Sequence, residues 1–302
     1  MKTKKWYYII GVILIIWLFT FLASRIISDN QVVQDEILII PIKGIISTSS
    51  SSLPFESSNA NVDSILKELK KAKEDSSIKA VILDINSPGG TVVASKEIAN
   101  AVKNLNKPSI SVIREVGASG AYWVASSSDM IIADELSITG SIGVIGSYLQ
   151  FSKLMQQYGV TYEELTGGEY KDLGSSFKEL EQNERNILQG KIDMIHEFFI
   201  NDVKENRKLT DTKRISTGEF FLGIEAKELG LIDKFGNRET AIEEAKKLAD
   251  LKSPRIVEFE QKRSLLDLLG SVSATNFYYL GRGIGSELSL EMNNKNLEVN
   301  AI

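Results

Sequence analysis

Cysteine is absent from this chain of 302 residues, and histidine occurs once, at His196. The absence of cysteine excludes disulfides, thiolate nucleophiles and Cys-ligated zinc. One histidine cannot supply an HExxH zinc site, which needs two. A Ser-His-Asp triad could use only His196. His196 lies in a helix-like stretch without partners at ligand or relay spacing, so we expect a structural or surface role for it.

An excess of basic residues is also lacking, since the formal net charge is -5. Nucleic-acid binding requires a basic face, so the composition does not favour it. Apolar residues make up 43% of the chain and charged residues 25%, as is ordinary for a globular protein. The length allows one large domain or two modest ones. Nothing in the sequence resembles a P-loop, and we expect no metal and no other cofactor.

One long apolar run is present near the N-terminus. Residues 6–23 carry no charge and are apolar apart from Thr20. A helix of that length spans about 27 Å, enough for the core of a bilayer. The aromatic residues at 6–8 suit the headgroup level. Three lysines precede the run and only Arg25 follows it closely, so the positive-inside rule places the N-terminus in the cytoplasm.

A cleaved signal peptide is the alternative interpretation of this run, because a basic start and an apolar stretch also fit one. However, the run is long, and no clear Ala-x-Ala cleavage site follows it. We therefore favour an uncleaved, single-pass anchor over residues 6–27, with the bulk of the chain extracytoplasmic.

Beyond the anchor, short apolar runs alternate with helical patterns. The spacing implies crossover connections and a largely parallel sheet, so the predicted fold class is α/β. Strands are predicted at Ile37–Ile46, Ala80–Ile85, Ser109–Ile113, Met130–Ala133, Val160–Leu165 and Arg255–Phe259. Helices are predicted at Val62–Ala72, Val92–Leu105, Glu181–Asn206, Ala226–Leu229 and Glu239–Leu248.

A double-glycine turn, residues 86–90 with the sequence Asn-Ser-Pro-Gly-Gly, follows the second of these strands. Two glycines permit backbone geometry closed to other residues and leave N–H groups uncovered. Such a turn can form half of an oxyanion hole. A plain strand-to-helix turn explains the same residues, because Pro-Gly-Gly is common in turns.

Ser119 lies between Gly117 and Gly120, after a predicted strand and before a predicted helix. A nucleophile there gains from the helix N-terminus, and the Gly120 N–H can supply an oxyanion donor. The segment is not a Gly-x-Ser-x-Gly elbow, because Ala121 occupies the last position. A serine N-cap is the alternative interpretation.

Lys171 is the candidate base, because a lysine can replace the missing imidazole. It lies in a glycine-rich loop, and a lysine acts as a general base only where its surroundings lower its pKa toward neutrality. Ser141 is a plausible hydroxyl to orient the ammonium or to relay its proton. A solvated surface lysine is the alternative interpretation.

Taken together, four segments resemble the peptidases of family S49, the signal peptide peptidase A family, which share the fold of Clp protease and crotonase. They are residues 86–90, 118–122 (Ala-Ser-Gly-Ala-Tyr), 139–144 (Thr-Gly-Ser-Ile-Gly-Val) and 168–172 (Gly-Glu-Tyr-Lys-Asp). The stretch 218–232 is similar to the end of the family's domain, so the resemblance covers about residues 37–248. Ala121 departs from the family pattern, since many relatives have a second glycine there.

The resemblance implies a crotonase/Clp-protease-like fold of repeated ββα units and a Ser/Lys dyad. Ser119 would be the nucleophile, Lys171 the general base and Ser141 the residue that orients it. Gly90 and Gly120 would donate the oxyanion hydrogen bonds. The family also forms homo-oligomeric rings in which the serine and lysine come from adjacent subunits.

These expectations describe a membrane-anchored serine endopeptidase that degrades remnant signal peptides and other hydrophobic or unfolded peptides. Its partners would be peptide substrates, membrane lipid around the anchor and further copies of the chain, without nucleic acid. A crotonase-like enzyme acting on acyl-CoA and a non-catalytic ring-forming membrane scaffold are the alternatives. The predicted divisions are 1–5 (cytoplasmic N-terminus), 6–27 (anchor), 28–36 (linker), 37–250 (peptidase domain) and 251–302 (C-terminal strand and tail).

Overall fold

The computed structural model describes residues 12–21, 34–48 and 60–259. The predicted cytoplasmic segment, most of the linker, both ends of the predicted anchor and the tail beyond residue 259 lie outside this range. Residues 12–21 form helix α1, whose apolar side chains are exposed. Among the described residues, no helix combines the length and the apolar character that a bilayer span requires.

The helices that follow occupy the predicted positions, with two short ones in addition near residues 152 and 212. Their bounds are α2 Val62–Glu74, α3 Val92–Lys103, α4 Gly120–Ser126, α5 Ser152–Gln157, α6 Gln182–Asn206, α7 Thr212–Ile215, α8 Gly223–Glu228 and α9 Arg238–Leu248. Helix α2 illustrates how the sequence determines them. The Asn61 side chain caps its N-terminus by accepting the Ser64 N–H at 3.0 Å. Its residues at helical spacing are buried on one face.

The strands confirm the predicted parallel sheet. Their bounds are β1 Glu36–Lys43, β2 Ile46–Ser47, β3 Ala60–Asn61, β4 Ile78–Ser87, β5 Ser109–Ala118, β6 Met130–Ala133, β7 Ile138–Gly140, β8 Phe220–Leu222, β9 Lys234–Phe235 and β10 Arg255–Glu258. The main sheet runs β10-β1-β4-β5-β6-β9 with parallel pairing throughout. Strand β7 pairs with the end of β5, and β8 pairs antiparallel with β7.

Both faces of the sheet are buried. Along β1, Leu38 and Ile40 belong to the larger apolar core, which also takes in residues of α2, α3, α4 and α6. The alternate residues Ile37 and Ile39 belong to a second core with residues of α9. Burial on both faces explains the nearly continuous apolar runs in β1 and β4, as expected for a parallel sheet.

The strand predicted at Val160–Leu165 is wrong. The whole stretch between α5 and α6, residues 158–181, contains turns and irregular backbone but no strand. Val160 is 53% exposed and Leu165 94% exposed, so the apolar residues of this run do not face the core. Residues of high β-propensity form a strand only where another strand pairs with them, and no strand among the described residues pairs with this stretch. We call residues 158–181 the α5–α6 segment.

The ends of three strands position the site. Register pairs Ser87 of β4 with Gly117 of β5, and Ala118 of β5 with Gly140 of β7. Because these strands are parallel, their carboxyl ends meet at one edge of the sheet, where open α/β sheets bind ligands. The residues that follow the strands therefore lie beside one another.

Candidate active site

Ser119 follows β5 in a backbone conformation that few residues other than glycine adopt. Its φ is 53° and its ψ is -126°. Its N–H donates to the Gly140 carbonyl at 2.9 Å, and its own carbonyl accepts the Trp123 N–H at 3.0 Å. A non-glycine residue at positive φ is strained and is characteristic of functional sites. Although Ser119 occupies the N-cap position of α4, its side chain makes no capping hydrogen bond. The hydroxyl is thus not used as a helix cap.

The double-glycine turn packs directly against Ser119. Gly89 has φ +103°, and a Cβ on it would lie 2.7 Å from the Gly120 nitrogen. A Cβ on Gly90 would lie 1.9 Å from the Ile46 carbonyl oxygen, and one on Gly120 would lie 2.2 Å from the Ser95 Oγ and 3.2 Å from the Gly90 nitrogen. Glycine is therefore required at positions 89 and 90, where an added Cβ would overlap backbone atoms, and a side chain at position 120 would displace Ser95.

The two expected oxyanion donors are consequently close together. In the part of the chain that the structure describes, neither the Gly90 N–H nor the Gly120 N–H donates a hydrogen bond. Gly120 is the first residue of α4, and the first N–H groups of a helix lack intrahelical acceptors. Two unused donors beside an uncommitted serine hydroxyl can bind the oxyanion formed when that hydroxyl attacks a carbonyl.

Ser141 lies beside Ser119 because of the strand register. Each serine is one residue beyond the paired Ala118 and Gly140. Ser141 also has positive φ, 50°, and its N–H donates to the Glu219 carbonyl at 2.9 Å.

A cavity of about 570 Å³ opens beside these residues. Ser119, Gly120, Gly90 and Ser141 line it together, so the structure brings together four of the five predicted site residues. The facing wall is one side of α6, at Gln189, Ile192, Asp193, His196 and Phe199. Phe199 stacks on Trp123 with ring centroids 4.4 Å apart and planes 12° apart, which fixes the apolar base of the cavity.

His196 reaches the cavity wall but has a structural contact there. Its Nε2 lies 3.0 Å from the Ile142 carbonyl oxygen. A carbonyl only accepts, so this nitrogen carries the proton and donates it to the backbone next to Ser141. The structural role expected from the sequence fits this contact, although the position beside the site had no signal in the sequence.

Lys171 lies elsewhere within the single chain. It is exposed in the α5–α6 segment, where its N–H donates to the Gly168 carbonyl at 3.2 Å, and it does not line the cavity. The sequence analysis missed its neighbours. Asp172 forms an ion pair with Lys178, which also binds Glu184 of α6 at 2.8 Å.

Comparison with known proteins assigns the chain to a family. The profile of peptidase family S49 matches residues 101–252, and that of Clp protease matches residues 41–131. A protein named putative protease MJ0651, from Methanocaldococcus jannaschii, is 37% identical over 72% of this chain and 69% of its own length. The chain belongs to peptidase family S49.

Other relatives agree with this family membership. The putative signal peptide peptidase SppA of Enterococcus faecium is 33% identical over 74% of this chain and 67% of its own. Protease 4 of Haemophilus influenzae is 33% identical over 79% of this chain, which spans only 38% of that longer protein. The solved 1510-N membrane-bound stomatin-specific protease aligns at 13% identity with a TM-score of 0.48, from which we infer nothing further.

Family S49 membership makes the chain a serine-type peptidase related to signal peptide peptidase A, with an α/β fold of the Clp-protease kind. The expected activity class and the expected α/β, Clp-protease-like fold are therefore confirmed. The acyl-CoA enzyme and the non-catalytic scaffold are not supported. The roles of the individual S49 site residues remain predictions.

Proposed function

We propose that this S49 peptidase is a membrane-anchored endopeptidase with a Ser119/Lys171 dyad that degrades remnant signal peptides and other hydrophobic or unfolded peptides. The observation that carries the proposal is the uncommitted, strained Ser119 next to two unused glycine N–H donors in a cavity. The apolar part of the cavity, at Trp123 and Phe199, suits a hydrophobic substrate side chain. The relative from Enterococcus faecium, which is named as a signal peptide peptidase, supports the substrate class.

The reaction follows from these positions. The Ser119 Oγ attacks the peptide carbonyl carbon while the Lys171 Nζ accepts the hydroxyl proton. The Gly90 and Gly120 N–H groups stabilise the negative oxygen of the tetrahedral intermediate. The lysine then gives the proton to the leaving amine, and an acyl-enzyme remains on Ser119. A water then attacks the acyl carbon while Lys171 accepts its proton, and the lysine returns that proton to the departing Ser119 oxygen, so the acid product and the free enzyme form. The Ser141 hydroxyl orients the lysine throughout.

In the proposed enzyme, the base of each site comes from an adjacent subunit of a homo-oligomeric ring. The position of Lys171 outside the cavity of its own chain supports this arrangement. So do exposed apolar side chains elsewhere in residues 145–165, where Ile145 is 92% exposed, Leu149 72% and Leu165 94%. Large exposed apolar patches mark protein or membrane contacts. The anchor over residues 6–27 and an extracytoplasmic catalytic domain complete the proposal.

Ser119→Ala and Lys171→Ala test the dyad. Each purified variant is expected to lose peptide cleavage to background while it remains oligomeric by size-exclusion chromatography, because each lacks one half of the proton transfer. A fluorophosphonate probe should label wild-type Ser119 but not the alanine variant. Substantial turnover by either variant would refute the assigned dyad.

Mixing the two variants tests where the base comes from. If adjacent subunits share each dyad, random co-assembly restores cleavage at roughly a quarter of the sites, as expected for a head-to-tail ring. A mixture of Ser119→Ala with the double Ser119→Ala/Lys171→Ala variant is the matched control and should stay inactive. If the first mixture also stays inactive after verified subunit exchange, the dyad is not shared between subunits.

A further inference from the structure

The α5–α6 segment is tied to the start of α6 next to Lys171. Asp172, the residue after Lys171, pairs with the Lys178 ammonium, which also binds the Glu184 carboxylate at 2.8 Å. Glu184 belongs to the first turn of α6. An immediate neighbour of Lys171 is therefore linked through Lys178 to that helical turn.

We call the ion pairs of Lys178 with Asp172 and Glu184 the bridge. Its side chains are less exposed to solvent than those of a typical surface ion pair. The side chains of Asp172, Glu184 and Lys178 are 11%, 4% and 32% exposed. Glu184 is also committed to α6, because its second carboxylate oxygen accepts the Glu181 N–H at 3.1 Å in a capping box. A buried carboxylate that both caps a helix and binds an ammonium fixes that ammonium in one place.

The charges reinforce the bridge. The hydrogen bond from Lys178 lowers the pKa of Asp172, and it is also the main cause that lowers the pKa of Glu184. Asp172 and then Glu184 raise the pKa of Lys178. Glu164, which also contacts Asp172, has a raised pKa, first because of its burial and then because of the Asp172 charge. The ammonium thus offsets several carboxyl groups that face one another.

Two further hydrogen bonds hold the C-terminal part of the segment to the residues before α5. The Phe151 N–H donates to the Ser176 carbonyl at 2.7 Å, and the Gln150 side chain donates to the Lys178 carbonyl at 3.0 Å. These bonds hold the backbone at positions 176 and 178. They place the Lys178 side chain where it can bridge Asp172 to α6.

Helix α6 connects this bridge to the cavity of the same chain. Its first turn binds the segment at Glu184, and its later turns form the cavity wall at Asp193, His196 and Phe199. A helix is a stiff connection, so the position of Lys171 is set relative to that wall.

We propose that Lys178 is a positioning residue of the peptidase reaction, whose ammonium bridges Asp172 and Glu184 and so holds the segment that presents Lys171. This inference rests on the proposed function, since it assigns the orientation of the proposed base. Lys178 does not line the cavity of its own chain, so its proposed role acts through Lys171. A reacting group displaced by about 1 Å costs on the order of 100-fold in rate, so a loose segment should slow the chemical step.

Lys178→Met in the full-length oligomer tests the proposal, with Lys153→Met as the matched control. Lys153 forms a pair with Glu179 at 3.5 Å in which both side chains are largely exposed. We expect kcat of Lys178→Met to fall roughly 10- to 100-fold with KM nearly unchanged, because the substrate cavity is intact. Lys178→Arg, which keeps the charge and can reach both carboxylates, should restore most of kcat. Lys153→Met should match the wild type.

Asp172→Asn provides a second, isosteric way to break the bridge if Lys178→Met folds poorly. The double variant Asp172→Asn/Lys178→Met should be no slower than the worse single variant, because both changes remove one interaction. A wild-type kcat in Lys178→Met, a loss in KM alone, or a failure of Lys178→Arg to restore kcat would overturn the positioning role. Lys171→Ala distinguishes a failure of the proposed dyad from a failure of the positioning role of Lys178. Full activity in that variant refutes the dyad itself. An inactive Lys171→Ala with a fully active Lys178→Met refutes only the bridge.

Discussion

Ser119 and Lys171 lie in regions that are held in different ways. Ser119 follows a strand in the middle of a parallel sheet, between two glycine backbones and a neighbouring strand end. Lys171 lies in a segment without regular structure, which Lys178 ties to the first turn of α6 and hydrogen bonds tie to the residues before α5. Backbone packing determines the first region, whereas ion pairs are prominent in the second, next to Lys171. We therefore expect the nucleophile to be formed in any folded subunit, and the base to depend on ion pairs and on assembly.

The largest difference in kcat between the two regions is expected when one glycine in each is replaced by alanine. In Gly90→Ala the new Cβ would lie 1.9 Å from the Ile46 carbonyl oxygen, so the turn must move and its N–H leaves the oxyanion position. Loss of one such donor costs about 10²- to 10³-fold in kcat. Gly167 of the α5–α6 segment has no atom within 4 Å of an added Cβ.

Gly167→Ala is thus the control, with kcat and melting temperature close to those of the wild type. Steady-state cleavage and thermal denaturation of both variants measure the contrast. Equal kcat values in the two variants would show that the double-glycine turn does not supply an oxyanion donor.

A moderate contrast is expected from removing one tyrosine hydroxyl in each region. Tyr122, in the helix that begins after Ser119, is fully buried and donates to the Leu231 carbonyl at 2.9 Å. Tyr122→Phe leaves that buried carbonyl without its donor, which costs about 1–3 kcal/mol in the free energy of unfolding. Tyr158 of the α5–α6 segment is 73% exposed, so Tyr158→Phe should change it by less than about 0.5 kcal/mol.

Urea denaturation of the two tyrosine variants gives both values directly. Equal losses would mean that the exposed segment is packed as tightly as the sheet in the assembled protein.

The smallest difference between the two regions is expected in how their stability depends on pH. The lowered pKa values of Asp172 and Glu184 mean that both carboxylates stabilise the α5–α6 segment at pH values above their ordinary pKa values of 3.8 and 4.5. That stabilisation is lost as the pH falls through the lowered folded values. Glu164 opposes the trend in part, because its pKa is raised and it binds a proton more readily in the folded chain. The net result should be a segment that opens only below about pH 4.

Pepsin digestion between pH 2 and 5, followed by mass spectrometry, detects this opening. Cleavage within residues 158–181 should increase at the acid end in the wild type and occur across the range in Lys178→Met. The sheet around Ser119 should resist throughout. A wild-type segment cut equally at pH 5 and pH 3 would contradict the ion-pair control.

The difference between the regions also explains what could be predicted. The cores of β1, β4, β5, α2 and α3 were found at the predicted positions, because buried parallel strands appear in the sequence as continuous apolar runs and surface helices as periodic ones. Strand β5 extends five residues beyond its predicted end, and the two-residue strands β2 and β3 were not predicted. The error at Val160–Leu165 arose where an apolar run faces outward, since composition does not reveal which partner covers it. Ser119 and the glycines could be proposed because their chemistry depends on local turns. The contribution of Lys178 could not, because nothing in the spacing of lysine and carboxylate residues indicates which of them meet.

The sequence by itself determined the α/β class, the absence of thiol chemistry, the scarcity of imidazole, and the turns able to carry a nucleophile and its oxyanion donors. These properties follow from residue identity and from the local periodicity of burial. Only the tertiary structure decided that Ser119 and Ser141 lie side by side, that α6 forms the wall facing them, and that Lys171 lies outside this cavity. Those relations depend on strand register and on contacts between residues far apart in the chain, which no local pattern encodes.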